Sequence, residues 1–63
     1  MYRNLKAYRV KFGLTQVDLA KKLDITPGAY SFKETGKTQF TLKEAKLIAD
    51  LFGTTIDELF FGS

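Results

Sequence analysis

The chain has 63 residues with ten basic and seven acidic side chains, a net charge of +3, and contains neither cysteine nor histidine. That composition excludes disulfides, thiolate or imidazole metal sites and the usual cysteine or histidine catalysis, and it agrees with a reducing cytoplasmic setting. At this length the chain is expected to be one domain, residues 1–63, near the lower limit at which packing alone sustains a fold, and its apolar runs fall far short of the roughly 20 residues that span a bilayer.

The first helix is predicted from Tyr2 or Arg3 to Phe12, with Leu5, Tyr8, Arg9 and Phe12 on one face and Gly13 as a left-handed stop. Arg9 interrupts that apolar face. Its stem can run along the core and leave the guanidinium in water, or the charge can meet a partner elsewhere in the chain. No signal-peptide apolar block stands in Met1-Tyr2-Arg3-Asn4-Leu5-Lys6, so the protein is expected to be soluble and not exported.

Thr15 can cap a second helix over Gln16 to Leu23, in which Leu19, Ala20 and Leu23 share a stripe while Asp18, Lys21 and Lys22 fall largely on the other side. Asp24-Ile25 leaves room only for a sharp corner, and aspartate is among the side chains best tolerated in a left-handed turn position. Thr26-Pro27 then opens a third helix, a cap residue followed by the residue whose fixed φ and missing amide cost nothing at a helix start. This helix is expected to end at Thr35 before Gly36, burying Tyr30, with the stems of Lys33 and Glu34 along the core edge. Two short amphipathic helices joined by a tight turn, over about residues 16–35, have the layout of a helix-turn-helix.

Thr41-Leu42-Lys43-Glu44 reads as a capping box for a fourth helix, preceded by Phe40, which can staple onto Ala45. Leu42, Ala45, Ile48, Ala49 and Phe52 form its predicted apolar stripe and Gly53 its end. A second box, Thr55-Ile56-Asp57-Glu58, starts a short fifth helix that runs out at Phe60-Phe61-Gly62. The expected fold is all-α: a compact five-helix domain with no strand signal.

In this order and spacing, Arg9 before Gly13-Leu14-Thr15-Gln16, then Leu19-Ala20, Leu23, Ile25-Thr26, Glu34 and Gly36-Lys37 resemble the phage repressor/Cro-like (Xre-type) helix-turn-helix proteins. Leu42 to Phe52, Gly53 and Ile56-Asp57-Glu58-Leu59-Phe60 resemble that family's last two helices, so the likeness runs from about Leu5 to Phe60. It implies a repressor-like domain and a structural ion pair between Arg9 and Glu34. Asp24 departs mildly from the family, which usually has glycine there.

In a helix-turn-helix the second helix lies in the major groove with its early residues at base edges, and the amide end of the preceding helix points at a phosphate. The resemblance therefore implies base-contacting positions at Pro27, Gly28 and Phe32, with Ala29 and Ser31 beside them. Relatives often carry Gln, Arg, Lys or Ser there, so this is where the chain departs most. Either readout leans on apolar contact with thymine methyls and on operator shape, or strong DNA binding has been lost and Phe32 serves a protein interface. Phosphate contacts are implied at Gln16, Thr26, Lys33, Thr35, Lys37 and Thr38; Lys11, Lys21 and Lys22 read as solvated surface.

Residues 1–40 hold eight basic side chains against three acidic, whereas residues 41–63 hold two against four, so the half containing the motif is the one suited to phosphate. Phe60 and Phe61 are consecutive and cannot both enter one small core, which suggests a dimer contact or a surface residue beside a core cap. The expected function is a sequence-specific double-stranded DNA-binding regulator, a repressor acting as a weak, DNA-assisted dimer on a pseudo-palindromic operator. Its expected place is the cytoplasm of a bacterial or phage-infected cell, associated with the nucleoid. The alternative is an antitoxin-like or adaptor interaction module of the same fold. No carboxylate pair sits in a cleft-forming arrangement, and no catalytic residue, cofactor, metal, small-molecule ligand or membrane partner is expected.

Overall fold

The computed structural model describes residues 2–62. Five helices follow one another: α1 (Arg3–Lys11), α2 (Gln16–Leu23), α3 (Pro27–Thr35), α4 (Leu42–Phe52) and α5 (Ile56–Phe61), with no strand among the described residues. The all-α, five-helix architecture agrees with the reading from sequence, and the boundaries agree to within a residue. Phe12, expected inside the first helix, is its C-cap.

The core is the place where all five amphipathic faces meet. Leu5, Leu19, Ala20, Tyr30, Ile48, Ala49, Phe52 and Leu59 form one buried cluster. Around it two aromatic groups close the ends. Tyr2 and Phe40 approach Phe60 at ring-centroid distances of 5.1 and 5.2 Å, while Tyr8 and Phe12 lie against Phe52 at 5.7 and 4.9 Å. Aromatic rings contribute large buried areas per residue, which lets so short a chain assemble a core. Phe40, expected as a staple on Ala45, is engaged with the rings of Tyr2, Tyr30 and Phe60.

Three details differ from the expected pattern. Leu42 is 77% exposed; as the first residue of α4 it lies at the open rim of a surface groove rather than over the core. Phe12 is half exposed, touching Phe52 while leaving much of its ring in solvent. Only the forward half of the second capping box forms, with Thr55 Oγ1 accepting from the Glu58 amide at 3.1 Å. At α4 both halves form: Thr41 Oγ1 accepts from the Glu44 amide at 3.1 Å and Glu44 Oε1 accepts from the Thr41 amide at 2.9 Å.

Candidate nucleic-acid interface

The N-terminus of α2 is built by a reciprocal box at Thr15 and Asp18. Thr15 Oγ1 accepts from the Asp18 amide at 3.1 Å, and Asp18 Oδ2 accepts from the Thr15 amide at 2.9 Å. Those bonds, the Thr15 amide first and its side chain second, hold the Asp18 carboxyl below its ordinary range. Helical periodicity places Asp18 only as a surface charge, and the signal for its capping role is its position three residues after Thr15. A helix leaves its first four amides without intrahelical acceptors; the box satisfies two and leaves those of Gln16 and Val17 to face outward partners.

The corner between α2 and α3 follows from backbone geometry. Asp24 is left-handed, at φ 58° and ψ 45°, the one non-glycine residue with positive φ among the described residues. The Ile25 amide reaches back to the Ala20 carbonyl at 3.0 Å and the Asp24 amide to that of Lys21 at 3.2 Å, closing the helix end. Ile25 then packs against the core. Thr26 caps α3, its Oγ1 accepting from the Ala29 amide at 3.1 Å. Accepting leaves the hydroxyl hydrogen available to a phosphate oxygen.

Along α3, Tyr30 and Glu34 are buried, Ala29, Ser31 and Lys33 are half-buried, and Pro27, Gly28, Phe32 and Thr35 are exposed. The motif thus presents Pro27, Gly28 and Phe32 outward, with Ala29 and Ser31 on the flanks. Lys37 holds its ammonium over the Phe32 ring, 5.1 Å from the centroid. Lys37 and Thr38 are exposed in the loop after α3, where the amide of each points at the Phe32 carbonyl, at 2.8 and 3.3 Å.

Two residues expected at phosphates are engaged inside the protein. Lys33 Nζ donates to Glu44 Oε1 at 2.9 Å and to the Gln39 carbonyl at 3.0 Å, tying α3 to the loop and to α4. Burial acts against ionisation at Glu44, but the Thr41 amide and the Lys33 ammonium outweigh it and hold that carboxyl low. Thr35 Oγ1 donates to the carbonyls of Ser31 and Phe32 at 3.0 and 3.2 Å, using its only hydroxyl hydrogen on its own helix. Sequence reasoning missed the Lys33–Glu44 pair because it forms across a loop, between residues with no periodic relation.

Beneath the exposed face lies the ion pair implied by the family resemblance. Arg9 Nε and Nη2 donate to the two carboxylate oxygens of Glu34, each at 3.0 Å, and Nη1 donates to the Leu14 carbonyl at 3.0 Å. Arg9 and Glu34 are 9% and 2% exposed. The hydrogen bonds with Glu34 raise the proton affinity of the guanidinium, against the effect of burial. Burial, with the nearby Glu34 charge, pushes the Tyr30 phenol far above its ordinary value; its hydroxyl lies close enough to feel the carboxylate but makes no well-formed hydrogen bond.

Phe60 and Phe61 part company. Phe60 turns into the aromatic group with Tyr2 and Phe40, and Phe61 is 79% exposed. Among the described residues no cluster of potential metal ligands occurs, and no helix is long and apolar enough to cross a membrane.

Residues 5–59 match the profile of a protein family described as helix-turn-helix. The chain is 43% identical over 60 residues to an uncharacterized HTH-type transcriptional regulator of Methanocaldococcus jannaschii, covering 95% of this chain and 91% of the relative. Two uncharacterized HTH-type transcriptional regulators of Archaeoglobus fulgidus are each 37% identical over 95% of this chain, covering 86% and 84% of their own lengths. These relatives are archaeal, so the similarity extends beyond the bacterial and phage setting expected from sequence. No solved structure matches the chain. With the α2–corner–α3 unit at the centre of the matched region, the chain belongs to the Xre/Cro-like helix-turn-helix family of DNA-binding transcriptional regulators, a class without enzymatic activity.

Proposed function

We propose that this regulator is a sequence-specific repressor that binds a pseudo-palindromic operator in double-stranded DNA as a two-fold dimer and occludes a promoter. The observation that carries the reading is the α2–α3 unit itself. Its first-turn amides at Gln16 and Val17 are left over by the capping box, and α3 has an exposed face next to them in the motif. In this reading Gln16, Thr26, Lys37 and Thr38 hold phosphates, and Pro27, Gly28, Ala29, Ser31 and Phe32 meet base edges. Lys33 and Thr35 serve the fold.

One domain reads too few base pairs to find its site among a genome of competitors, which favours two copies on a two-fold site. The exposed Phe61 and Leu42 flank a groove formed with Tyr2, Phe40 and Ile56, and this end is the proposed dimer contact. Phe60 supports it from inside. The contact is small, so dimerisation is weak in solution and completed on DNA.

Selection from random duplex DNA at moderate salt, followed by titration of the winner across salt concentrations, tests the proposal. An enriched two-fold site with a steep salt slope supports it, because phosphate contacts release counterions. The exposed Phe32, Leu42 and Phe61 favour protein interaction as a second reading; no enrichment, with only weak binding or none, would transfer the function to that class.

A further inference from the structure

The exposed face of α3 is unusual in what it lacks. Gly28 and Phe32 stand one turn apart, flanked by Pro27, Ala29 and Ser31. Thr35, next along the face, has spent its hydroxyl hydrogen on backbone carbonyls, and Lys33 is held by Glu44. Ser31 carries the one remaining side-chain polar group, and a hydroxyl both donates and accepts, so it separates bases weakly. Base pairs differ in the major groove by donors, by acceptors and by the 5-methyl group of thymine. Only the methyl group offers this face something to discriminate.

Gly28 supplies a second, independent observation. Its φ is not in the left-handed region, and a Cβ built there would meet nothing within 4 Å. Gly28 is the second residue of α3, and no contact within the fold requires its side chain to be missing. The missing side chain leaves open space on the exposed face one turn before Phe32, which lets another molecule approach the backbone closely. The Lys37 ammonium lies 5.1 Å from the centroid of the Phe32 ring and brings a positive charge beside it.

We infer that α3 reads the 5-methyl groups of pyrimidines in the major groove, accepting thymine and 5-methylcytosine alike and rejecting uracil and unmethylated cytosine. The inference rests on the DNA-binding reading above and names what that reading face recognises.

The test uses the full chain and its selected duplex, resynthesised with the thymines under α3 replaced by deoxyuridine, by 5-methylcytosine paired with guanine, or by cytosine paired with guanine. Deoxyuridine should weaken binding about fourfold per methyl removed, the worth of one buried methylene-sized group. The 5-methylcytosine duplex should retain the affinity that the cytosine duplex loses, and deoxyuridine outside the α3 footprint should change nothing. Phe32→Ala should erase the methyl preference while the helical circular dichroism and the salt slope persist. Equal binding of thymine and deoxyuridine duplexes with a normal salt slope overturns the inference and leaves DNA binding standing; failure to bind any duplex at any salt overturns both.

Discussion

Arg9 and Glu34, 25 positions apart in the chain, face each other in a two-pronged pair, guanidinium to carboxylate at 3.0 Å on both prongs. The pair fastens the last turn of α1 to the last turn of α3. Because the third guanidinium nitrogen holds the Leu14 carbonyl, the same arginine also fixes the approach to α2. The orientation of α3 thus depends on charges buried directly behind it.

Glu34→Ala leaves the Arg9 charge buried without its partner and should cost about 3–5 kcal/mol, a large share of what so small a domain has. Urea denaturation followed by circular dichroism measures it. The double change Arg9→Met with Glu34→Leu should recover most of the loss, since apolar replacement of a buried pair is often neutral or better. A double variant as unstable as the single one would show that the loss comes from packing.

Stability should fall in acid through Asp18 and Glu44. Both carboxyls are held below their ordinary values in the folded chain. Their contribution is complete above the unfolded pKa of about 4 and disappears as pH falls through the lower folded values. Asp18→Asn and Glu44→Gln should each flatten the loss of denaturation midpoint below about pH 4; an unchanged acid limb in both would mean that other carboxyls carry it.

Lys33 and Lys37 sit four residues apart and should behave oppositely. Lys33→Met loses the Glu44 pair and should destabilise the domain by about 1–2 kcal/mol while leaving the salt slope of DNA binding unchanged. Lys37→Met should leave stability nearly untouched and reduce that slope by about 1. Gln16→Ala should weaken all DNA sequences together. A reduced salt slope in Lys33→Met would return Lys33 to the phosphate contacts.

Asp24→Gly should stabilise the chain by about 0.5–1 kcal/mol, because Asp24 sits at φ 58° where a side chain is strained and glycine is not. Thermal unfolding checks the sign. A lower midpoint would mean that the aspartate side chain contributes more than the relief of strain.

Phe61→Ser removes an exposed ring from a surface rim and should leave folding intact. If that rim is the dimer contact, the variant should need more protein to fill a two-fold site while binding a half-site normally. Band-shift titration on both duplexes separates the two effects.

Much of this molecule can be read in its sequence because the controlling interactions are local. Thr15, Thr26, Thr41 and Thr55 each cap the helix expected of them, and Gly13, Gly36 and Gly53 adopt the positive φ that stops a helix. Periodicity placed Leu5, Leu19, Ala20, Ile48, Ala49 and Phe52 in the core. It failed at Leu42, where the helical pattern continues past the last neighbour that could cover it. Helical period says which way a residue points, and burial requires something on that side.

The candidate site divides in the same way. Which residues lie on the outer face of α3 follows from the 3.6-residue repeat, a property of the chain alone. Which of them are free to act does not. Lys33 and Lys37 are chemically identical side chains four residues apart, yet the loop from Gly36 to Phe40 brings Glu44 to the first and leaves the second over Phe32. The five helices, their caps and the helix-turn-helix are legible along the chain, because each is governed by neighbours within one or two turns. The partners of Lys33, the exposure of Leu42 and the separation of Phe60 from Phe61 arise from packing, because those depend on which distant helix arrives on the same side.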